Sequence, residues 1–137
     1  MEADPTRTAD AKAWLQKAGQ DLRRVEILLA AIPADVEGAL FHCQQAVEKA
    51  FKGFLTWHDV GFRRVHDLDE IGKQCADVDS SLAGFLEQVG SLTAYAARFR
   101  YPGANYQPEI EEATAALGLA REVMEAIVRR LPRDARP

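Results

Sequence analysis

Positively charged residues are in the minority in this chain. Its 137 residues include 17 Lys and Arg against 21 Asp and Glu, which gives a formal net charge of −4 at pH 7. Nonspecific affinity for duplex nucleic acid comes from many cationic contacts with phosphates. The charge balance therefore argues against general binding of duplex DNA, and any phosphate-binding site must be local.

Cysteine is scarce, and long apolar runs are absent. The chain has two cysteines, Cys43 and Cys75, and both fall within helical patterns, which suits reduced thiols better than a disulfide framework. Neither their spacing nor any Glu-x-x-His pair suggests a metal site. No segment approaches the length of a transmembrane helix, and residues 1–5 carry no apolar run typical of a secretory signal. We therefore expect a cytoplasmic protein without membrane association, metal or cofactor.

Alternation with a period of two, the pattern of half-buried strands, is also absent, and helical spacing dominates. Apolar residues three and four apart predict a first helix, which Pro33 closes. Its apolar stripe consists of Trp14, Ala18, Leu22, Val25, Leu29 and Ile32. The last helix has a similar stripe from Ile110 to Leu131, with Pro108 in its first turn and Pro132 at its exit.

Three more helices are predicted between these two. The second long helix has an apolar stripe over residues 36–54 and ends near Trp57, and another stripe covers residues 82–96. A shorter helix begins at Asp67, which can cap the backbone while Glu70 reaches back in a capping box.

The predicted fold class is all-α, an antiparallel up-and-down bundle of four main helices plus a short helix. The chain length suits one domain over residues 1–137, with a core over about residues 9–131. We expect the ends, residues 1–8 and 132–137, to be frayed.

Residues 97–106 interrupt the helices with two arginines, two tyrosines and a proline. The guanidiniums of Arg98 and Arg100 offer planar donors suited to phosphate, and Tyr101 offers a flat face for a base. This combination predicts a nucleotide or RNA contact. The alternative is an ordinary interhelical loop, in which Pro102 ends the preceding helix and the arginines lie in solvent.

The second long helix carries a polar ridge. At 100° per residue, His42, Gln45, Lys49 and Lys52 fall within an arc of roughly 80°, away from the apolar stripe. Three of these side chains are basic or can become so, which favours an anion-binding surface. The alternative is a solvated face on which Glu48 and Lys52 form a surface pair four residues apart.

Two apolar residues of the same helix, Phe41 and Leu55, lie beside the ridge and away from the main core face. A helix that is apolar on two sides is either central in a bundle or covered by a partner subunit. The sequence leaves both arrangements open.

The loop after this helix adds Arg63, Arg64 and His66. Depending on whether the short helix reverses the chain fully, this loop and residues 98–106 lie at the same end of the bundle or at opposite ends. His66 precedes the expected cap, where a side chain often packs or bonds locally instead of binding a ligand.

Three motifs in order resemble a known family. They are the run His42-Cys43-Gln44-Gln45-Ala46-Val47-Glu48-Lys49-Ala50-Phe51-Lys52, then His66-Asp67-Leu68, then Arg100-Tyr101-Pro102. Together they resemble the HEPN domain (higher eukaryotes and prokaryotes nucleotide-binding), over residues from about Ala11 to Leu131. The resemblance implies a helical bundle that dimerises and works near nucleotides or RNA. It also implies a frequent partner, a minimal nucleotidyltransferase, with which such domains form toxin–antitoxin-like pairs.

The chain departs from the ribonucleolytic members of that family. Those members carry an Arg followed, after four to six residues, by a His that acts on the scissile phosphate. The positions five to seven after Arg98 are Gly103, Ala104 and Asn105, and those after Arg100 are Asn105, Tyr106 and Gln107. Arginine and tyrosine are poor general bases near neutral pH, whereas histidine is suited to that role. The resemblance is therefore to the Arg-Tyr-Pro branch, which lacks the ribonuclease pair.

We thus predict a nucleotide-binding or RNA-binding protein with no catalytic residue, which forms a homodimer and pairs with a nucleotidyltransferase. The expected phosphate-binding residues are Arg100, Tyr101, Arg98, His66, Lys49, Lys52 and His42. Two alternatives stay open: a ribonuclease toxin in which His42 or His66 supplies the imidazole, and a purely structural scaffold subunit.

Overall fold

The computed structural model describes residues 4–63, 67–98 and 107–137. Within these ranges the chain forms five α-helices, two short 3₁₀ segments and no strand. The helices are α1 (Pro5–Ala30), α2 (Val36–Trp57), α3 (Leu68–Val78), α4 (Leu86–Arg98) and α5 (Ile110–Arg129), and the 3₁₀ segments are Ser80–Phe85 and Arg133–Ala135. The predicted all-α helical bundle is confirmed.

Helix α2 is the centre of the bundle, since it packs against α1, α3, α4 and α5. Of the two arrangements left open for a helix apolar on two sides, the central one therefore holds. Leu55 is fully buried within the chain, so the expectation that it lies off the core and is available to a partner is wrong. Phe41, in contrast, stays 45% exposed.

The two ends of the chain are more ordered than the sequence predicts. Helix α1 begins at Pro5, and the carboxylate of Asp4 caps it by accepting a 2.9 Å hydrogen bond from the backbone N–H of Thr6. At the other end, Ala135 is fully buried, and Arg136 Nε donates to the carbonyl of Leu131 at 3.0 Å. The expectation of frayed ends is therefore wrong for these residues.

Helix α1 also ends earlier than its apolar pattern suggests. The last helical residue is Ala30, and Ile32, which the pattern assigns to the apolar stripe, lies beyond the helix and is 99% exposed. Beyond the last helical residue the backbone no longer follows the helical twist. Helical spacing therefore does not predict the direction of the Ile32 side chain.

The predicted cap of α3 is confirmed in part. The carboxylate of Asp67 accepts hydrogen bonds from the backbone N–H groups of Asp69 (2.9 Å) and Glu70 (3.4 Å). The Glu70 side chain does not complete a capping box. Its two oxygens instead accept a bidentate pair of hydrogen bonds, 2.8 and 2.9 Å long, from Arg63.

The apolar stripe over residues 82–96 covers two elements and not one, because a 3₁₀ segment precedes α4. Most of the last apolar stripe is buried, namely Ala113, Leu117, Ala120, Ile127 and, just after α5, Leu131, whereas Met124 is half-buried and Ile110 is 43% exposed. Pro108 lies just outside α5, which begins after its cap residue Glu109. None of the helices in the described ranges is long and apolar enough to cross a membrane.

Candidate functional site

Three of the seven expected phosphate-binding residues have side chains that the structure describes: His42, Lys49 and Lys52. Arg98 is the last residue of α4, and its side chain is outside the described part of the chain. His66, Arg100 and Tyr101 also lie outside the described residues. The site is therefore built here from α2 and from the elements packed against it.

His42 and Lys49 converge on one buried carboxylate of α1. Lys49 Nζ lies 2.6 Å from Asp21 Oδ2, and His42 Nδ1 lies 2.8 Å from Asp21 Oδ1. The two residues are seven positions apart, so they stack on one face of α2, and that face packs on α1. Arg24, one turn along α1, adds a third contact, with its Nη1 3.1 Å from Asp21 Oδ1. We call Asp21, Arg24, His42 and Lys49 the Asp21 cluster.

Burial explains why Asp21 has so many donors. Its side chain is 1% exposed, and a buried carboxylate is tolerated only when it is paired and hydrogen-bonded. The three donors satisfy both oxygens. They also lie nearer the surface than Asp21 does, since the side chains of Lys49, His42 and Arg24 are 20%, 26% and 51% exposed.

The contact with Asp21 fixes which nitrogen of His42 is free. An ionised carboxylate only accepts hydrogen bonds, so Nδ1 of His42 carries the hydrogen. In the neutral ring, Nε2 is then the nitrogen with the lone pair, and it lies on the opposite side of the ring from Asp21. A histidine held in this way can accept a proton or a hydrogen bond from a molecule bound at the surface.

Sequence analysis did not single out Asp21 or Arg24. A signal for Asp21 was available, because the buried positions of α1 are Ala11, Leu15, Ala18, Asp21 and Val25, three or four apart. An acidic residue at a core-facing helical position requires partners, and two of them, His42 and Lys49, lie on the facing helix. Arg24 offered no comparable signal.

Lys52 forms a second polar cluster with Glu48. Its Nζ lies 3.2 Å from Glu48 Oε2, and the two side chains are 10% and 2% exposed. The same Nζ lies 5.3 Å from the ring centroid of Trp14 and 5.6 Å from that of Phe62, within the range of cation–π attraction. The expected pair between Glu48 and Lys52 is present, but the alternative that places it on a solvated face is wrong, because both side chains are buried.

Two glutamines extend this second cluster along α2. Gln44 is fully buried; its Nε2 donates to Glu48 Oε1 at 3.4 Å, and its Oε1 accepts from Gln45 Nε2 at 2.7 Å. The polar ridge of the sequence is thus two hydrogen-bonded groups in the protein. One faces Asp21 across the α1–α2 interface, and the other lies beside Trp14 and Phe62.

The structure describes the residues on either side of the two segments, 64–66 and 99–106, that carry other expected site residues. The backbone N–H of Leu68, at the start of α3, donates to Thr93 Oγ1 of α4 at 3.4 Å. Thr93 precedes Arg98 by five residues, or about 7.5 Å along the helix. After the other loop, Gln107 and Pro108 line a shallow depression together with residues 34–37, at the start of α2.

The two cysteines are free and buried. Burial raises the pKa of Cys43 to about 12, and Arg121 lowers it by a smaller amount. Burial also raises the pKa of Cys75. Because the thiolate is the reactive form, these are structural and not nucleophilic cysteines. Among the residues that the structure describes, no group of His, Cys, Asp and Glu is arranged to hold a metal ion.

The fold and the site together define a class of protein: an all-α bundle with charged and polar residues buried along its central helix. The family model of the HEPN domain matches residues 11–131 of this chain. The chain therefore belongs to the HEPN domain family, which confirms the resemblance drawn from its motifs. Comparison with curated proteins and with solved structures found no match. Membership indicates a function related to nucleotides or RNA.

Proposed function

We propose that this HEPN protein binds a nucleotide or an RNA phosphate, and that Arg100 and Tyr101 are its principal contacts. The other residues of the proposed site are Arg98, His66, Lys49, Lys52 and His42. The protein acts as a homodimer and as the partner of a minimal nucleotidyltransferase in a toxin–antitoxin-like pair.

The observation that carries the proposal is the contact between the first residue of α3 and the second half of α4. Leu68 N–H donates to Thr93 Oγ1 at 3.4 Å, and Gly90 of α4 has the Asp69 carboxylate close beside it. His66 is two residues before Leu68, and Arg100 is seven residues after Thr93. The contact between Leu68 and Thr93 supports a site shared by His66 and Arg100.

The chemistry of those residues supports a phosphate ligand. Guanidinium groups bind phosphate oxygens through paired N–H donors, and tyrosine stacks on bases. The chain as a whole is acidic, with a net charge of −4, so binding at the proposed site would not be a by-product of a basic surface. A charge-assisted hydrogen bond is worth about 1.5–3 kcal/mol.

Calorimetric titration with nucleotides and short RNA at low salt tests the proposal. We expect Arg100→Ala to weaken binding roughly ten- to a hundredfold, which corresponds to the loss of one charge-assisted contact. Arg129→Ala is the distant comparison, because Arg129 is 67% exposed and its ion pair with Glu125 is 3.9 Å long. Equal losses in both variants, or no binding by the wild type, would contradict the proposal.

The nucleotidyltransferase partner requires a separate test. Co-expression with the product of a neighbouring nucleotidyltransferase gene, followed by affinity purification through a tag on that product, should retain this chain in stoichiometric amount. Absence of such a gene, or a partner that purifies alone, would contradict the pairing and leave nucleotide binding intact.

One contact favours a second candidate function, that of a ribonuclease with a displaced histidine. The 2.8 Å contact with Asp21 orients the imidazole of His42 with Nε2 outward, which is the orientation a general base requires. Cleavage of RNA that requires His42 would favour this candidate over the binder.

A further inference from the structure

We infer that Asp21 positions Arg24, Lys49 and His42 as a receptor for one phosphate group at the rim of the α1–α2 interface. This inference rests on the proposed function for its class of ligand, a nucleotide or RNA phosphate. It adds a binding residue, Arg24, and a positioning residue, Asp21, neither of which the family motifs contain.

The first step is that the three donors are held in place before any ligand arrives. Asp21 is buried at 1% exposure, so it is a fixed anchor, and all three donors touch it within 3.1 Å. Free lysine and arginine side chains lose up to about 2 kcal/mol of conformational freedom when they are ordered. Donors that are already ordered in the free protein lose less on binding, which favours affinity.

The second step is the charge of the Asp21 cluster. One carboxylate faces two permanent cations, Arg24 and Lys49, so the cluster carries an excess of one positive charge even when His42 is neutral. Neutralising a buried carboxylate requires only one cation. A phosphodiester or a nucleotide phosphate carries the negative charge that balances the second cation.

The third step is the supply of unused donors. Arg24 contacts Asp21 through Nη1, which leaves its Nε and Nη2 groups with no hydrogen-bond partner in the described part of the chain. Lys49 uses one of its three N–H donors on Asp21. These two side chains are 51% and 20% exposed, so the unused donors reach solvent while the charge stays anchored. Planar guanidinium and point-like ammonium groups together make a common phosphate-binding pair.

The test is a titration of the full chain with adenosine 5′-monophosphate and with inorganic phosphate, followed by amide chemical shifts at low salt. We expect Arg24→Gln to weaken binding of either probe about tenfold or more. Arg23→Gln is the matched comparison, because Arg23 is the adjacent, exposed residue of the same helix and the substitution removes the same charge. It should change the affinity by about twofold or less. Equal losses in the two variants would mean bulk charge only and would overturn the inference.

Asp21 needs a readout that distinguishes positioning from simple folding. The nitrogen shifts of the His42 ring should show the Nδ1–H tautomer in the wild type, and Asp21→Asn should move them toward a mixture of tautomers. A wild-type ring that already shows a mixture of tautomers would overturn the positioning role. Since Asp21→Asn also affects stability, Lys49→Gln provides a second affinity measurement, and it should reproduce the loss seen for Arg24→Gln.

The outcomes separate this inference from the proposed function. Binding weakened by Arg100→Ala and unaffected by Arg24→Gln would overturn the Asp21 cluster as a receptor and leave the proposed function standing. Binding weakened by Arg24→Gln and unaffected by Arg100→Ala would support the cluster and remove the principal contacts of the proposed site. A wild type that binds neither probe nor short RNA would overturn both.

Discussion

Glu48 and Lys52 form a buried ion pair one turn apart on the central helix, with 3.2 Å between Oε2 and Nζ. Their side chains are 2% and 10% exposed, and Trp14 and Phe62 flank the ammonium group. The pair differs in kind from the surface pairs of this protein, because water does not screen it.

Replacing one partner of this pair should destabilise the protein strongly. Glu48→Gln leaves the Lys52 ammonium buried without an opposite charge, and such a loss costs about 3–5 kcal/mol. Urea denaturation followed by circular dichroism measures the difference. The comparison is Glu125→Gln, since Glu125 and Arg129 have the same i,i+4 spacing on α5 and side chains 70% and 67% exposed; it should cost less than about 1 kcal/mol. Similar losses in the two variants would mean that water reaches Lys52.

The stability of the protein should also fall in acid because of Asp79, which joins the end of α3 to α5. Its carboxylate accepts hydrogen bonds from the Ser81 hydroxyl (2.5 Å), from the Ser81 backbone N–H (3.0 Å) and from Arg130 Nε (3.0 Å). The bonds from Ser81, and then those from Arg130, hold the pKa of Asp79 below its ordinary value of 3.8. A carboxyl whose pKa is lower in the folded state stabilises the protein above the unfolded pKa and loses that contribution as pH falls through the folded value.

Asp79→Asn should therefore be less stable than the wild type at pH 7, and the difference should shrink as pH falls below 3.8. Denaturation midpoints measured from pH 7 to pH 2.5 provide the test. Asp77→Asn is the matched comparison, because Asp77 is an exposed residue of the same segment and the substitution removes the same charge. A pH-independent effect of Asp79→Asn would contradict the assignment.

The proposed homodimer rests on fewer residues than the sequence suggested. Leu55 is buried within the chain, so of the two apolar residues off the core face only Phe41, which is 45% exposed, remains for a partner. We predict a dimer at micromolar concentration in sedimentation experiments and a shift toward monomer for Phe41→Ser. Ile27→Ser, at a residue of α1 that is 61% exposed, should leave the dimer intact. A wild type that sediments as a monomer throughout that range would refute the prediction.

The helices could be predicted because their apolar residues follow a simple spacing along the chain. The site could not, because it depends on contacts between helices. Apolar residues three and four apart predict the extents of α2 and α5 to within a few residues. Helix α1 differs from its apolar stripe at both ends, because it begins at Pro5 and ends at Ala30. The pairing of Asp21 with His42 and Lys49 joins residues 21 and 28 positions apart, and no spacing rule on one helix specifies it. The sequence places Lys52 on a polar ridge away from the apolar stripe, whereas in the protein it is buried beside Trp14 of α1 and Phe62 of the following loop.

The last prediction is that the purified protein does not cleave RNA. The positions after Arg98 and Arg100 that would hold the ribonuclease histidine contain Gly, Ala, Asn, Tyr and Gln, and none of these moves protons efficiently near neutral pH. Incubation with structured and unstructured RNA is the measurement, with Arg100→Ala prepared in parallel as the contamination control. Cleavage that is lost in that variant would contradict the binder.

His42 is the residue that could most readily contradict this prediction, because Asp21 already orients its ring. The decisive pair of variants is His42→Gln and His58→Gln. Both remove one imidazole from α2 or its end, but His58 packs against Phe54 and Trp57, and burial lowers its pKa. Cleavage that His42→Gln abolishes and His58→Gln retains would identify His42 as the proton acceptor and replace the binder with a ribonuclease. Binding without cleavage in the wild type and in both variants is the result we expect.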